Sequence, residues 1–284
     1  MTKIELKNKI ELFILSTGFY DKLKENYNND FELLREEFGL SDTIEPPKLL
    51  MNILAPKAEY VGLIPSIKRF KSKNNKNMIV QILPGHRKII LHLRNSIRYL
   101  KNTLLSKIYN DISSNEIEEL IIRFFREVLI HELVHYCQII NKEYDIILPD
   151  ELKINNGFER TSLEIFSLFE KSKSKDYKFL MEYKCISKWY EIVNKIFGEK
   201  EATLFYDIHG LNYLIFIIKN IDSDLITNKG LLVDNKITSN LFKEFYLNNK
   251  TPDKDLMEEK LEFINSFKKK AEEGINDYKT YCVK

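Results

Sequence analysis

At 284 residues the chain has room for one large domain, and 44% hydrophobic with 30% charged residues is the composition of a globular protein that buries a core. A formal net charge of +2 excludes a strong field aimed at nucleic acid. Cys137, Cys185 and Cys282 are too few and too scattered for a disulfide framework, and none belongs to a C-x-x-C pair, so they read as reduced residues of a cytoplasmic protein.

The opening segment, MTKIELKNKIELFIL, interleaves lysine and glutamate with its apolar residues, unlike the uninterrupted apolar run of a signal peptide. The most apolar stretch, Tyr213 to Ile218, falls far short of the ~20 residues that span a bilayer. No membrane partner is expected.

Nine glycines and seven prolines are few for this length, so helix should dominate. Residues 1–38 read as two amphipathic helices broken near Tyr27-Asn28-Asn29, and Pro46-Pro47 should open a short helical segment that Pro56 ends. From Tyr60 to Leu93 the texture turns to β-branched residues. Val61 to Phe70, Met78 to Leu83 and Arg87 to Leu93 predict a small antiparallel sheet of about three strands, with a tight turn at Pro84-Gly85. The linker from Lys71 to Asn77 reads as a hairpin loop.

A long helix should follow, opened by Ser113 and Glu116 at capping-box spacing and running through Ile117, Leu120, Ile121, Phe124, Phe125, Val128 and Leu129 to Ile139. Residues 141–156 read as a loop and Phe158 to Glu170 as a helix. The C-terminal third looks all-helical: Phe179, Tyr183, Ile186, Tyr190, Val193 and Phe197 recur at helical spacing until Gly198. Thr251-Pro252 should cap and start a last helix that Gly274 ends.

Inside the long helix stands His131-Glu132-Leu133-Val134-His135. Positions i and i+4 share a helix face, so both imidazoles can reach one ion, and Glu132 projects beside them where it can deprotonate a metal-bound water. Zinc suits the pattern because it takes nitrogen ligands in a tetrahedron and keeps a position open for water. The bland alternative is that these are ordinary helix residues. On so apolar a helix, however, imidazoles and a carboxylate are costly to bury unless something satisfies them. Chance also places three such residues in only roughly one chain of this size in a hundred.

On this motif the sequence resembles the zincin metallopeptidases, whose mark is HExxH. The resemblance covers the motif and the sheet and helices between about residues 60 and 171. It implies an α+β fold, predominantly α-helical, with a small antiparallel sheet preceding the active-site helix. Residues 57–175 would be the catalytic unit, flanked by helical regions 1–56 and 176–284. It also implies one zinc ion per chain, hydrolysis of peptide bonds, and a peptide or protein substrate paired to an edge strand supplied by residues 78–93.

The residues after His135, Tyr136-Cys137-Gln138-Ile139-Ile140-Asn141, lack the glycine and third histidine of a metzincin, so the resemblance points to a glutamate ligand as in thermolysin-like gluzincins. Glu159, Glu164 and Glu170 are the candidates. On a helix, Glu159 borders the apolar side of Phe158, Ser162, Phe166 and Phe169, while Glu164 falls with Arg160, Ser167 and Lys171, which favours Glu159. Both begin E-x-x-S, so similarity does not separate them.

Zincins often use a distal histidine or tyrosine to stabilise the oxyanion, and His209 and Tyr213 are of that type. The plainer reading of His209, a capping or half-buried histidine, is the commoner case. His86 and His92, beside the hairpin, read as structural, with His92 able to line a cleft. Two other functions remain open at this point. One is an inactive zincin fold used as an interaction module, against which the intact Glu132 argues. The other is a DNA-associated HExxH repair protease, against which the weak basic character argues.

Overall fold

The computed structural model describes residues 3–52, 79–83, 87–101, 113–143, 154–155, 158–159, 175–221, 241, 243–246 and 248–282. The elements in chain order are α1 (Lys3–Ile14), α2 (Thr17–Glu37), β1 (Lys48–Asn52), β2 (Val80–Leu83), β3 (Lys88–His92), α3 (Leu93–Tyr99), α4 (Ser114–Ile140), β4 (Ile154–Asn155), β5 (Phe158–Glu159), α5 (Lys175–Phe197), α6 (Glu199–Phe205), a π-helical turn (Tyr206–Leu211), α7 (Asn212–Ile221) and α8 (Lys254–Cys282). Helix predominates, as the low glycine and proline content required. No helix among the described residues is long and apolar enough to cross a membrane. Contacts group the chain into two compact units, Met1–Glu32 with Glu45–Glu132, and Leu33–Ile44 with Leu133–Lys284. The expected domain limit near residue 56 lies outside the described residues.

In the first unit the helix break falls at Leu15-Ser16 and not at Tyr27-Asn28-Asn29. Ser16 makes it: its hydroxyl donates to the Phe13 carbonyl at 2.7 Å and accepts from the Phe19 N–H at 3.1 Å, closing α1 and capping α2. The two asparagines cost a few tenths of a kcal/mol each in a helix. Burying Tyr27 and Phe31 contributes about 1.5–3 kcal/mol each, so α2 runs through. The Tyr27 hydroxyl also donates to the Pro47 carbonyl at 2.6 Å.

The segment after Pro46-Pro47 is strand β1 and not a helix. It pairs in parallel with β3, while β2 pairs with β3 antiparallel, giving a mixed sheet of order β1-β3-β2 in place of the antiparallel one expected. A parallel partner 40 residues away leaves no turn signal to read, as with Leu50 opposite Ile90. The predicted antiparallel pairing of β2 and β3 is present, while the turn expected at Pro84-Gly85 lies outside the described residues. β3 is the sheet's central strand, with Ile89, Ile90 and Leu91 buried, so of residues 78–93 only β2 stands at an end of the described sheet. The expected strand Val61 to Phe70 lies outside the described residues.

α4 begins where its capping box predicts. The Ser113 N–H donates to Glu116 Oε2 at 2.7 Å, and the Glu116 N–H donates to Ser113 Oγ at 3.4 Å. The core around its first half is aromatic, with ring centroids of Phe19 and Phe125 5.1 Å apart, Phe124 and Phe125 5.3 Å, and Tyr99 and Phe124 5.6 Å.

Glu127 is buried on α4 among these residues, and burial pushes its carboxyl well above the usual range. A folded-state value above the unfolded 4.5 means the stability it contributes is complete below that pH and is lost as pH rises through the folded value. Glu127→Gln, neutral at every pH, should therefore flatten the decline of the urea midpoint between pH 5 and pH 8. Parallel declines in the two proteins would show that Glu127 carries no such term.

The second unit is built on α5, which Gly198 (φ 87°) ends as predicted. Phe179 of α5 meets Phe267 of α8 edge to face at 4.9 Å, and a buried ion pair joins Lys260 of α8 to Asp207 of the π turn. Gly210 in that turn lies where a Cβ would come within 3.0 Å of Ile186 Cγ2 and 3.3 Å of Trp189, so a side chain there would press tightly against α5. α8 starts two residues later than Thr251-Pro252 implied. Asp253 is the cap, its Oδ1 accepting from the Asp255 and Leu256 N–H groups at 3.0 and 3.3 Å. α8 also continues through Gly274 to Cys282, since one glycine weakens a helix by only about 1 kcal/mol.

Candidate metal centre

His131 and His135 lie one turn apart on the unbroken helix α4, as the i, i+4 spacing predicts. His131 and Glu132 are half-buried, whereas His135 is 4% exposed. Facing His135 is α5, whose inward stripe carries Glu182 and Cys185, three positions apart. His135 Nε2 lies 3.1 Å from Glu182 Oε2. Cys185 is fully buried, with its thiol free of any disulfide. One ligand atom from each of His131, His135 and Cys185 falls within 4.8 Å of the others.

Further contacts hold the end of α4 against α5. The Lys184 ammonium donates to the Glu143 carbonyl at 2.8 Å and pairs with the Glu143 carboxylate at 3.3 Å. Gln138, fully buried, reaches the Lys184 carbonyl at a long 3.5 Å.

The donor set suits a borderline-soft cation. Imidazole and thiolate are both zinc ligands, and three protein donors leave a tetrahedron one position short. The set has no match to calcium or magnesium, which take oxygen. Cys137 is also buried on α4, where burial raises its thiol pKa, and it is not in the cluster. Tyr136 is buried in the core.

The carboxylates expected from the sequence fare differently. Glu159 stands in β5, paired through its backbone with Ile154, and not on a helix, so the helix-face argument that favoured it does not apply. Its side chain, and the whole of Glu164 and Glu170, lie outside the described residues. His209 sits in the π turn, half-buried, with its ring 6.2 Å from that of Phe205, and it is not a member of the ligand cluster. Tyr213 is half-buried at the start of α7. His86 lies outside the described residues. His92 ends the central strand, and burial lowers its pKa, keeping the ring neutral.

Sequence reasoning missed Glu182 and Cys185. A signal existed, since both fall at helical spacing with Ile186 and Trp189 on the buried stripe of α5, where a carboxylate needs a partner. A shallow groove along α1, lined by Lys9, Phe13, Ser16 and Glu118 among others, shares no residue with this centre. No protein-family model, no curated protein and no solved structure matches the chain.

Proposed function

We propose that the chain is a metal-dependent peptidase of the HExxH type, in which His131, His135 and Cys185 hold one zinc ion and Glu132 is the proton-transferring base. The observation that carries this reading is the convergence of two imidazoles from α4 and a thiol from α5 within 4.8 Å, beside a glutamate at the motif's second position. Three nitrogen and sulfur donors form the ligand count of catalytic rather than structural zinc sites. A zinc ion bound there supplies an acidified water and polarises a carbonyl.

Glu132 directly follows His131 and is half-buried, so its carboxylate is neither locked into the core nor fully solvated. It takes the proton of the attacking water and delivers it to the leaving amine. Cys185 must lose its proton to act as a ligand, so metal uptake should release protons and weaken as pH falls.

Glu132→Gln preserves shape but cannot act as a base. It should keep one zinc per chain, measured by elemental analysis, and lose about 10²–10⁴-fold in peptide hydrolysis. Parental hydrolysis rates in this variant would remove Glu132 from the chemistry. A reconstituted parental protein free of transition metal would remove the metal centre itself.

A further inference from the structure

We propose that the outward face of α1 is a self-association surface, on which two copies of the chain pair α1 against α1, antiparallel, about a two-fold axis near Asn8. This face shares no residue with the metal centre. Of the five large hydrophobic residues exposed among the described residues, Ile4, Leu12, Leu15 and Tyr20 all fall between positions 4 and 20. Single exposed apolar residues need no explanation, but a contiguous patch of them marks an interaction surface.

α1 buries Leu6, Ile10 and Ile14 on one side. At about 100° per residue, Ile4, Asn8, Leu12 and Leu15 form one stripe on the opposite side. Ile4 and Leu12 are each 72% exposed and Leu15 is 46% exposed. Asn8, the polar residue of the stripe, is exposed as well. Glu5 and Lys9 flank the stripe on one side, and Lys7 and Glu11 on the other, so each flank carries one charge of each sign. Lys9 lies 4.0 Å from Glu118 and Glu11 pairs with Lys101, so these charges are held along the flanks.

This pattern is complementary to itself. A two-fold axis at Asn8 sets Ile4 of each copy opposite Leu12 of the other, and sets Asn8 against its own equivalent, where two amides can exchange hydrogen bonds. In an antiparallel pair each flank meets its own copy. Every lysine then has a glutamate of the other copy two positions along the axis, about 3 Å away. Antiparallel pairing also sets the two helix dipoles head to tail. The flanks carry no excess of lysine, so the face lacks the basic rim of a helix that lies on an anionic membrane. The exposed parts of Ile4, Leu12 and Leu15 come to about 400 Å² per copy, against ~800 Å² per partner in a standard interface, so the dimer is weak and reversible.

Sedimentation equilibrium of the full chain from about 1 to 300 μM should show monomer and dimer, with a Kd of about 1 μM or weaker. Leu12→Asp should stay monomeric throughout. Asn8→Leu, which removes the polar group from the stripe, should tighten the dimer about tenfold. Both side chains are exposed, so neither change disturbs the core. A parent that stays monomeric at the highest concentration would overturn the proposal. So would a dimer that Leu12→Asp leaves intact, or an affinity that Asn8→Leu leaves unchanged. A monomeric parent that binds vesicles of phosphatidylserine and phosphatidylcholine would overturn it too, and would give the stripe to a lipid surface.

Discussion

Cys185→Ala should lower zinc affinity by roughly 10²–10³-fold and abolish hydrolysis with it. A four-donor zinc site is worth about 10–16 kcal/mol, so each donor carries on the order of 2.5–4 kcal/mol. Removing the thiolate leaves only the two imidazoles of α4 within the 4.8 Å cluster. The substitution shortens a fully buried side chain by one sulfur, a small change in packing beside that loss. Cobalt(II) substitution gives a second readout: the parent should show a thiolate-to-cobalt charge-transfer band that Cys185→Ala lacks. Glu159→Ala, measured at the same pH, should bind zinc as the parent does. Tight binding by Cys185→Ala together with weak binding by Glu159→Ala would restore the carboxylate ligand expected from the motif resemblance.

Asp30→Ala should destabilise the fold by about 3 kcal/mol, the lower end of the cost of breaking a buried ion pair. Asp30 is 4% exposed and accepts a forked pair of bonds from Arg126 of α4, Nε to Oδ2 at 3.0 Å and Nη2 to Oδ1 at 2.6 Å. Two parallel bonds to one carboxylate make a strong geometry. Burial nonetheless outweighs Arg126 and holds the Asp30 pKa above its ordinary value, so the pair is a balance of large opposing terms. Removing Asp30 takes both of these bonds from the guanidinium of Arg126, which is only one-fifth exposed. Removing both partners as Asp30→Ala/Arg126→Ala should cost less than the sum of the single changes, because the bonds they share are then lost only once. Denaturant midpoints for the three variants decide it. A cost below 1 kcal/mol for Asp30→Ala, or simple additivity, would show that the pair is not coupled as described.

The sequence by itself determined what depends on near neighbours. Ser113 and Glu116 set the start of α4, and Gly198 set the end of α5, because caps and left-handed stops act over three or four residues. The same local periodicity placed His131 and His135 on one face of α4, which is half of the candidate centre. The tertiary structure alone decided the rest. β1 is a strand because β3 lies alongside it, and α2 runs through Asn28-Asn29 because Tyr27 and Phe31 find a core. His135 meets Glu182 across 47 positions of chain, and Cys185 joins from the next turn of the same helix. No periodicity reaches that far. Which face of α5 turns toward α4 follows from the packing of whole helices, so Cys185, which the sequence marks only as a reduced cysteine, comes within 4.8 Å of two imidazoles once the helices pack.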